Sequence, residues 1–173
     1  YDTKRITVLS TGIGTDNIDI VMNELDALVN IDLNKRCEKD IHRSLTLVRI
    51  GTCGGLQPEN PTDSFLVSEK SIGFDGLLNY YADSEKVICE DFSEAFIAQT
   101  GYSSKFAYPY VVKDSDELLE RIAQDDMVRG ITISAPGFYG PQGRAIRLPL
   151  ADADLNNKII GFDYKGHKVT NFE

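Results

Sequence analysis

Cysteine and histidine are scarce in this chain of 173 residues, which contains three cysteines and two histidines. Cys37, Cys53 and Cys89 form no C-x-x-C pair, and His42 and His167 lie far apart in the sequence. Disulfide frameworks and zinc sites need closely patterned cysteines and histidines, so the sequence indicates neither, and we expect no bound metal. The few cysteines favour a reducing, cytoplasmic setting.

Long apolar runs and a signal-peptide pattern are also missing from the sequence. A membrane-spanning helix needs about 20 consecutive apolar residues, so we expect no membrane partner. Basic residues are outnumbered, with 18 lysines and arginines against 27 aspartates and glutamates, and the formal net charge is −9. This balance argues against a nucleic-acid partner, because such binders usually carry basic patches. A few arginines in one cleft can still bind a small anion.

Length and composition are those of one globular domain. Hydrophobic residues make up 42% of the chain and charged residues 26%, and the length is sufficient to enclose a core. No internal repeat or interdomain linker is apparent, so residues 1–173 are predicted to form a single domain. The sequence begins at Tyr1 without an initiator methionine and stops at Glu173 within a strand-like run, so we expect it to be part of a longer protein.

Strand-like and helix-like patterns alternate along the sequence. Short apolar runs predict strands at residues 5–10, 44–50, 65–70, 108–113 and 128–134, and a hairpin over 159–172 that turns at Lys165 and Gly166. Apolar residues spaced three or four apart predict helices over 17–29, 90–100 and 114–123. This order predicts an α/β fold with a central mixed β-sheet flanked by helices.

Residues at the predicted helix ends support these assignments. Thr15 or Asp16 is expected to cap the first helix. Gly101 is expected to end the second, and Asp114 with Glu117 resembles a capping box at the start of the third.

Ligands of open α/β sheets bind beyond the carboxyl ends of the strands. Three loops of this chain are expected to lie there, at residues 10–15, 51–57 and 135–144. Each of them contains glycine and at least one polar side chain. These loops are therefore the candidate binding segments of the chain.

An apolar run that leads into an arginine and a glycine-rich turn occupies residues 47–56. Arg49 brings a fixed positive charge, and the turn between Gly51 and Gly55 exposes backbone N–H groups. Together these groups suit a small anion such as phosphate. The alternative is an ordinary junction between a strand and a turn, in which Arg49 pairs with a carboxylate.

The turn at Gly12 and Gly14 is a weaker signal. Asn17 stands where a dinucleotide-binding fingerprint would have its third glycine, and the sequence has no Walker lysine. The helix that follows could line an anion pocket, although a plain tight turn is the simpler interpretation.

The loop from Phe138 to Arg144 combines groups that suit a pyrimidine base. The amide of Gln142 offers both a donor and an acceptor to an imide edge. Arg144 can donate to a carbonyl and stabilise negative charge that develops there, and Phe138 can pack against a planar ring. The alternative is a surface loop rich in glycine and proline with incidental polar residues.

Four segments in the same order resemble the nucleoside phosphorylase family, and within it the uridine phosphorylases. They lie at residues 10–14, 49–54, 138–144 and 171–173. The resemblance extends over nearly the whole chain but covers only the middle of a typical family member. It implies a single-domain, three-layer phosphorylase-type fold and the reversible phosphorolysis of uridine to uracil and ribose 1-phosphate.

The resemblance also implies the residues of the site. Arg49, Gly51 and Thr52 would hold phosphate, with Thr52 also near the ribose. Glu173 corresponds to the first glutamate of a motif that grips the ribose. The uracil side would be formed by five residues: Cys53, Gly54, Phe138, Gln142 and Arg144. Of the predicted site residues, Arg49, Gln142 and Arg144 would act in catalysis.

The same resemblance implies no organic cofactor, with inorganic phosphate as co-substrate, and a homo-oligomer that is a dimer or a hexamer of dimers. Two positions depart from the family pattern, because Cys53 replaces a usual threonine and Gly143 a usual glutamate. A purine nucleoside phosphorylase and a hydrolytic nucleosidase are alternatives within the family. A catalytically silent nucleoside-binding protein is the alternative from another class.

Overall fold

The structure is a computed structural model that describes residues 5–173. The chain divides into two compact units, Tyr1–Arg49 and Ile50–Glu173.

The first unit contains one long helix, α1 (Thr15–Asn30), and a short hairpin of β1 (Ile31–Asp32) and β2 (Cys37–Glu38). The helix predicted over 17–29 is confirmed, but its cap is Gly14, with a φ of +99° and no capping side chain. Neither Thr15 nor Asp16 caps α1, because the turn at Gly14 leads the chain directly into the helix and both residues are already helical.

Two predicted strands, at residues 5–10 and 44–50, are wrong. The structure assigns neither helix nor strand to these segments, and the side chains of Ile6, Val8 and Ile50 are 90%, 91% and 91% exposed. A strand needs a neighbour that accepts and donates its backbone hydrogen bonds. Among residues 5–173, neither segment pairs with a strand, so an apolar run alone did not suffice to form one.

The second unit contains a six-stranded mixed sheet, which confirms the predicted α/β class. Strands β4, β6 and β8 are parallel, and β3, β5 and β7 are antiparallel to their neighbours. The order across the sheet is β3-β8-β6-β4-β5, with β7 also paired to β8. The strand bounds are β3 (Gly54–Gly55), β4 (Leu66–Gly73), β5 (Tyr110–Lys113), β6 (Val128–Ser134), β7 (Asp163–Tyr164) and β8 (His167–Phe172).

Three helices accompany this sheet: α2 (Glu90–Thr100), α3 (Asp116–Ile122) and α4 (Leu155–Ile160). Helix α2 has the predicted bounds, and Gly101 ends it in a left-handed conformation with a φ of +60°. Helix α3 begins after Ser115, whose Oγ accepts a hydrogen bond from the N–H of Leu118 at 3.4 Å. The predicted capping box at Asp114 is wrong, because that carboxylate accepts from Ser71 Oγ at 3.3 Å instead. No helix within the described residues is long and apolar enough to cross a membrane.

The predicted hairpin over 159–172 is correct only in part. The turn lies at Lys165 and Gly166 as predicted, with φ values of +53° and +79°, and joins β7 to β8. Residues 159 and 160 belong to helix α4, because Leu155 and Ile159 are four residues apart and both are buried on one helix face.

The core lies between one face of the sheet and helices α2 and α4. Ile131 and Ile133 of β6 are fully buried, as is Phe96 of α2, whose ring lies 5.3 Å from that of Phe162. Thr132, between the two isoleucines, belongs to a hydrogen-bonded series of polar side chains: Ser68, Thr132, Thr170 and Asn171. This series anchors the end of β8, which Glu173 follows.

Candidate functional site

Two chain segments meet at the carboxyl ends of the parallel strands. The loop at 135–144 leaves β6, and Glu173 follows β8. The N–H of Ala135 donates to the carbonyl of Glu173 at 3.1 Å, and the N–H of Glu173 donates to the carbonyl of Ile133 at 2.8 Å. Gly54 of β3 pairs with Phe172 on the other side of β8. The sheet thus brings three of the predicted site segments to one edge.

The loop after β6 is held by a compact turn. The carbonyl of Tyr139 accepts hydrogen bonds from the N–H groups of Gln142 at 3.0 Å and Arg144 at 2.8 Å. Gly140–Gln142 form one turn of 3₁₀ helix, and Gly143 follows with a φ of +66°. A left-handed residue is readily provided only by glycine, so Gly143 sets the angle between the side chains on either side of it.

The guanidinium of Arg144 is half-buried between an aromatic ring and a glycine backbone. Its central carbon lies 4.2 Å from the centroid of the Phe138 ring. Its Nη2 lies 2.6 Å from the place that a Cβ would take at Gly54, so a side chain at that position would displace the guanidinium. Among residues 5–173, Arg144 forms no ion pair with a carboxylate. Its charge is therefore available to a ligand oxygen.

Gln142 offers a second polar group in the same loop. The residue is only 6% exposed, and its side-chain amide makes no hydrogen bond to the described part of the chain. Its amide atoms are not among the buried unpaired atoms, so they stay accessible to solvent. An accessible amide with unused donor and acceptor capacity, beside a cation that has no counter-ion among the described residues, is the arrangement expected of a binding site for a polar planar group.

Cys53 precedes the glycine that accommodates Arg144. Partial burial raises the pKa of the Cys53 thiol, and the negative charge of Glu173 raises it further. A thiol with a raised pKa stays protonated at neutral pH and is a poor nucleophile. The geometry therefore favours Cys53 as a residue that lines the site beside Glu173, and not as a covalent catalyst.

The predicted phosphate residues are less constrained by the structure. Gly51 and Thr52 are exposed and lie before Cys53, which directly precedes β3. Arg49 is exposed as well and is the last residue of the first unit. Their role in phosphate binding stays a prediction. Within residues 5–173, no group of three or more histidines, cysteines or acidic residues could hold a metal ion.

Comparison with known proteins identifies the family of this chain. The model of the phosphorylase superfamily matches residues 1–159. The chain belongs to the phosphorylase superfamily. No curated protein gives a significant match to it.

Two solved structures are similar to this chain. One is the nucleoside phosphorylase of Trypanosoma brucei, which shows uridine phosphorylase activity; the TM-score is 0.78 at 25% identity, over 95% of this chain and 62% of that chain. The other is a uridine phosphorylase of the oomycete Phytophthora capsici, with a TM-score of 0.49 at 20% identity, over 94% of this chain and 54% of that chain. This chain thus spans less than two thirds of either protein.

One residue that contacts the loop at 135–144 was not predicted from the sequence. The side-chain amide of Asn156, in the first turn of α4, packs against Gly143. Its Oδ1 atom is buried and has no hydrogen-bond partner. Nothing in the sequence indicated this contact, because residues 155–160 lay partly in the predicted hairpin and partly outside any predicted element.

Proposed function

We propose that the full-length protein is a nucleoside phosphorylase that cleaves uridine with inorganic phosphate, giving uracil and ribose 1-phosphate. The observation that carries this proposal is the pair of Arg144 and Gln142. Within residues 5–173, a half-buried guanidinium without a carboxylate partner lies in one loop with a solvent-accessible amide that has no hydrogen bond. A uracil edge, with two carbonyls and one N–H between them, matches these donors and this acceptor.

The charge distribution of the reaction supports the same assignment. Phosphorolysis breaks the bond between the anomeric carbon and the base nitrogen, and the base leaves with the electron pair. Negative charge then spreads over the uracil carbonyls, where Arg144 and Gln142 donate hydrogen bonds. Donors that are already in place for a developing charge are the most effective form of electrostatic catalysis.

The resemblance to the nucleoside phosphorylases also implies that Arg49, Gly51 and Thr52 hold the phosphate. A phosphate oxygen forms the new bond to the anomeric carbon as the base departs, so positive charge on the sugar is offset by the anion. The arginine and the backbone N–H groups of the turn supply the binding. Positioning two reactants in this way lowers the barrier without any covalent intermediate on the protein.

Glu173 and the residues around Gly54 complete the proposed site. The Glu173 carboxylate can accept hydrogen bonds from ribose hydroxyls. Cys53 and Gly54 would form the wall beside the base, and Phe138 would pack on the base or sugar. These roles are the ones that the resemblance to the nucleoside phosphorylase family implies.

The decisive experiment measures uracil release from uridine by the full-length protein with and without inorganic phosphate. We expect release only with phosphate, together with formation of ribose 1-phosphate. Release without phosphate would replace the proposal with hydrolysis, and preferential cleavage of inosine would replace it with a purine phosphorylase. Binding of uridine without turnover would identify a catalytically silent binding protein.

A further inference from the structure

The amide of Asn156 fills the space in which a side chain at position 143 would lie. A Cβ at Gly143 would come within 2.7 Å of Asn156 Cγ and 2.9 Å of Nδ2, both far closer than van der Waals contact. The amide is therefore packed on the Gly143 backbone, between the two residues that are proposed to read the base. Helix α4, which begins one residue earlier, holds it there.

The oxygen of this amide is a buried acceptor with no partner among the described residues. An unpaired buried acceptor is destabilising, so leucine, which has the same branching and similar size, would be tolerated at least as well for stability. An asparagine at such a position points to a requirement other than folding. Unsatisfied polar groups that persist in native structures are often associated with functional sites.

The side-chain amide of the neighbouring Gln142 also lacks a hydrogen-bond partner. Neither its oxygen nor its nitrogen is hydrogen-bonded within residues 5–173, and both atoms stay accessible to solvent although the residue as a whole is only 6% exposed. An unrestrained glutamine amide can present its donor and its acceptor in either order. Reading an imide edge requires one order, so a further hydrogen bond must select it.

We propose that Asn156 is a positioning residue for Gln142, an inference that rests on the proposed function. When the base is bound, Asn156 Oδ1 accepts one N–H of the Gln142 amide. The other N–H and the oxygen of Gln142 then face the carbonyl and the N–H of the pyrimidine. Asn156 does not touch the reacting atoms and acts only through Gln142.

The test is a double-mutant cycle in the full-length protein, with Asn156→Leu, Gln142→Ala and the combined variant. We expect Asn156→Leu to lower kcat/KM for uridine about fivefold to tenfold, as the loss of one hydrogen bond would, without lowering the urea midpoint of unfolding. In the Gln142→Ala background the same substitution should have almost no further effect. Asn156→Asp, which keeps the acceptor, should retain more activity than Asn156→Leu.

Asn157→Leu is the matched control, because Asn157 is the next residue of α4, is exposed, and bonds Asp154 Oδ1 at 2.7 Å. Additive effects of Asn156→Leu and Gln142→Ala would overturn this inference and leave the proposed function standing. A wild-type kcat/KM in Asn156→Leu would do the same. Absence of uridine phosphorolysis in the wild type would instead overturn the proposed function. In that case the uracil affinities of the wild type and the three variants of the cycle are compared by calorimetry. Additive effects on uracil affinity, or no uracil binding, would overturn the inference as well.

Discussion

The ring of Phe138 lies beneath the guanidinium of Arg144, with 4.2 Å between the guanidinium carbon and the ring centroid. The two residues begin and end the same seven-residue segment, and the turn at Tyr139 brings them together. A cation on an aromatic face keeps its N–H groups free to donate in the plane of the guanidinium. The contact therefore orients Arg144 without consuming its hydrogen-bonding capacity.

Phe138→Leu is expected to weaken substrate binding more than folding. The substitution removes the cation–π contact, worth about 0.5–2 kcal/mol, and so should raise KM for uridine roughly 2- to 30-fold. Phe65→Leu is the matched control, because Phe65 is 69% exposed against 61% for Phe138 and lies before β4, at the opposite edge of the sheet. Equal KM values in the two variants would show that the ring contact has no role in the site.

Arg144→Lys is expected to lower kcat for uridine by about 100-fold, the usual cost of losing a donor to a developing negative charge. Lysine keeps the charge but cannot provide the planar, paired donors of a guanidinium. Arg147→Lys, an exposed position three residues later, should leave kcat unchanged. Steady-state kinetics with urea unfolding of both variants would test this, and a wild-type kcat in Arg144→Lys would contradict the proposed base-binding role.

The elements that could be predicted from sequence are those whose signals are local. Strand β6 and helix α2 have the predicted bounds, because their apolar periodicity is regular and Gly101 marks the helix end. Residues 5–10 and 44–50 show apolar runs of the same kind but form no strand. Whether such a run becomes a strand depends on a neighbour, which sequence periodicity does not reveal.

The same distinction applies to the site. Phe138, Gln142 and Arg144 could be grouped in advance because they lie in one loop. The approach of Arg144 to Gly54 depends on the pairing of β3 with β8, which joins segments more than 100 residues apart in sequence. The contact between Asn156 and Gly143 depends on how α4 packs. Contacts of this kind follow from tertiary structure and leave no periodic trace in the sequence.

Gly101→Ala should destabilise the protein for purely conformational reasons. The residue has a φ of +60°, and nothing lies within 4 Å of the place that a Cβ would take. The cost of a left-handed alanine is about 1–2 kcal/mol, and the urea midpoint should fall accordingly. Gly140→Ala is the control, because its Cβ site is equally open and its φ is not positive. Similar midpoints for the two variants would contradict the conformational explanation.

Asp114→Asn should stabilise the protein at neutral pH. Burial raises the pKa of the Asp114 carboxyl, and Glu173 raises it further, while the hydrogen bond from Ser71 and the charge of Lys70 oppose the shift. A carboxyl whose pKa is higher in the folded than in the unfolded state stabilises the fold when protonated, and this stabilisation is lost as pH rises from the usual carboxyl pKa of about 3.9 through the raised value.

Asparagine avoids that loss because its amide oxygen can still accept from Ser71 and carries no charge to desolvate. The urea midpoint of Asp114→Asn should therefore exceed the wild-type midpoint at pH 7, and the difference should shrink as pH falls toward 3. Asp125→Asn, at an exposed position, is the control and should change the midpoint little. A lower midpoint for Asp114→Asn at pH 7 would contradict this prediction, because it would mean that the ionised carboxylate is favourably paired in the fold. The wild type would then be the more stable protein at pH 7, and its advantage would disappear in acid.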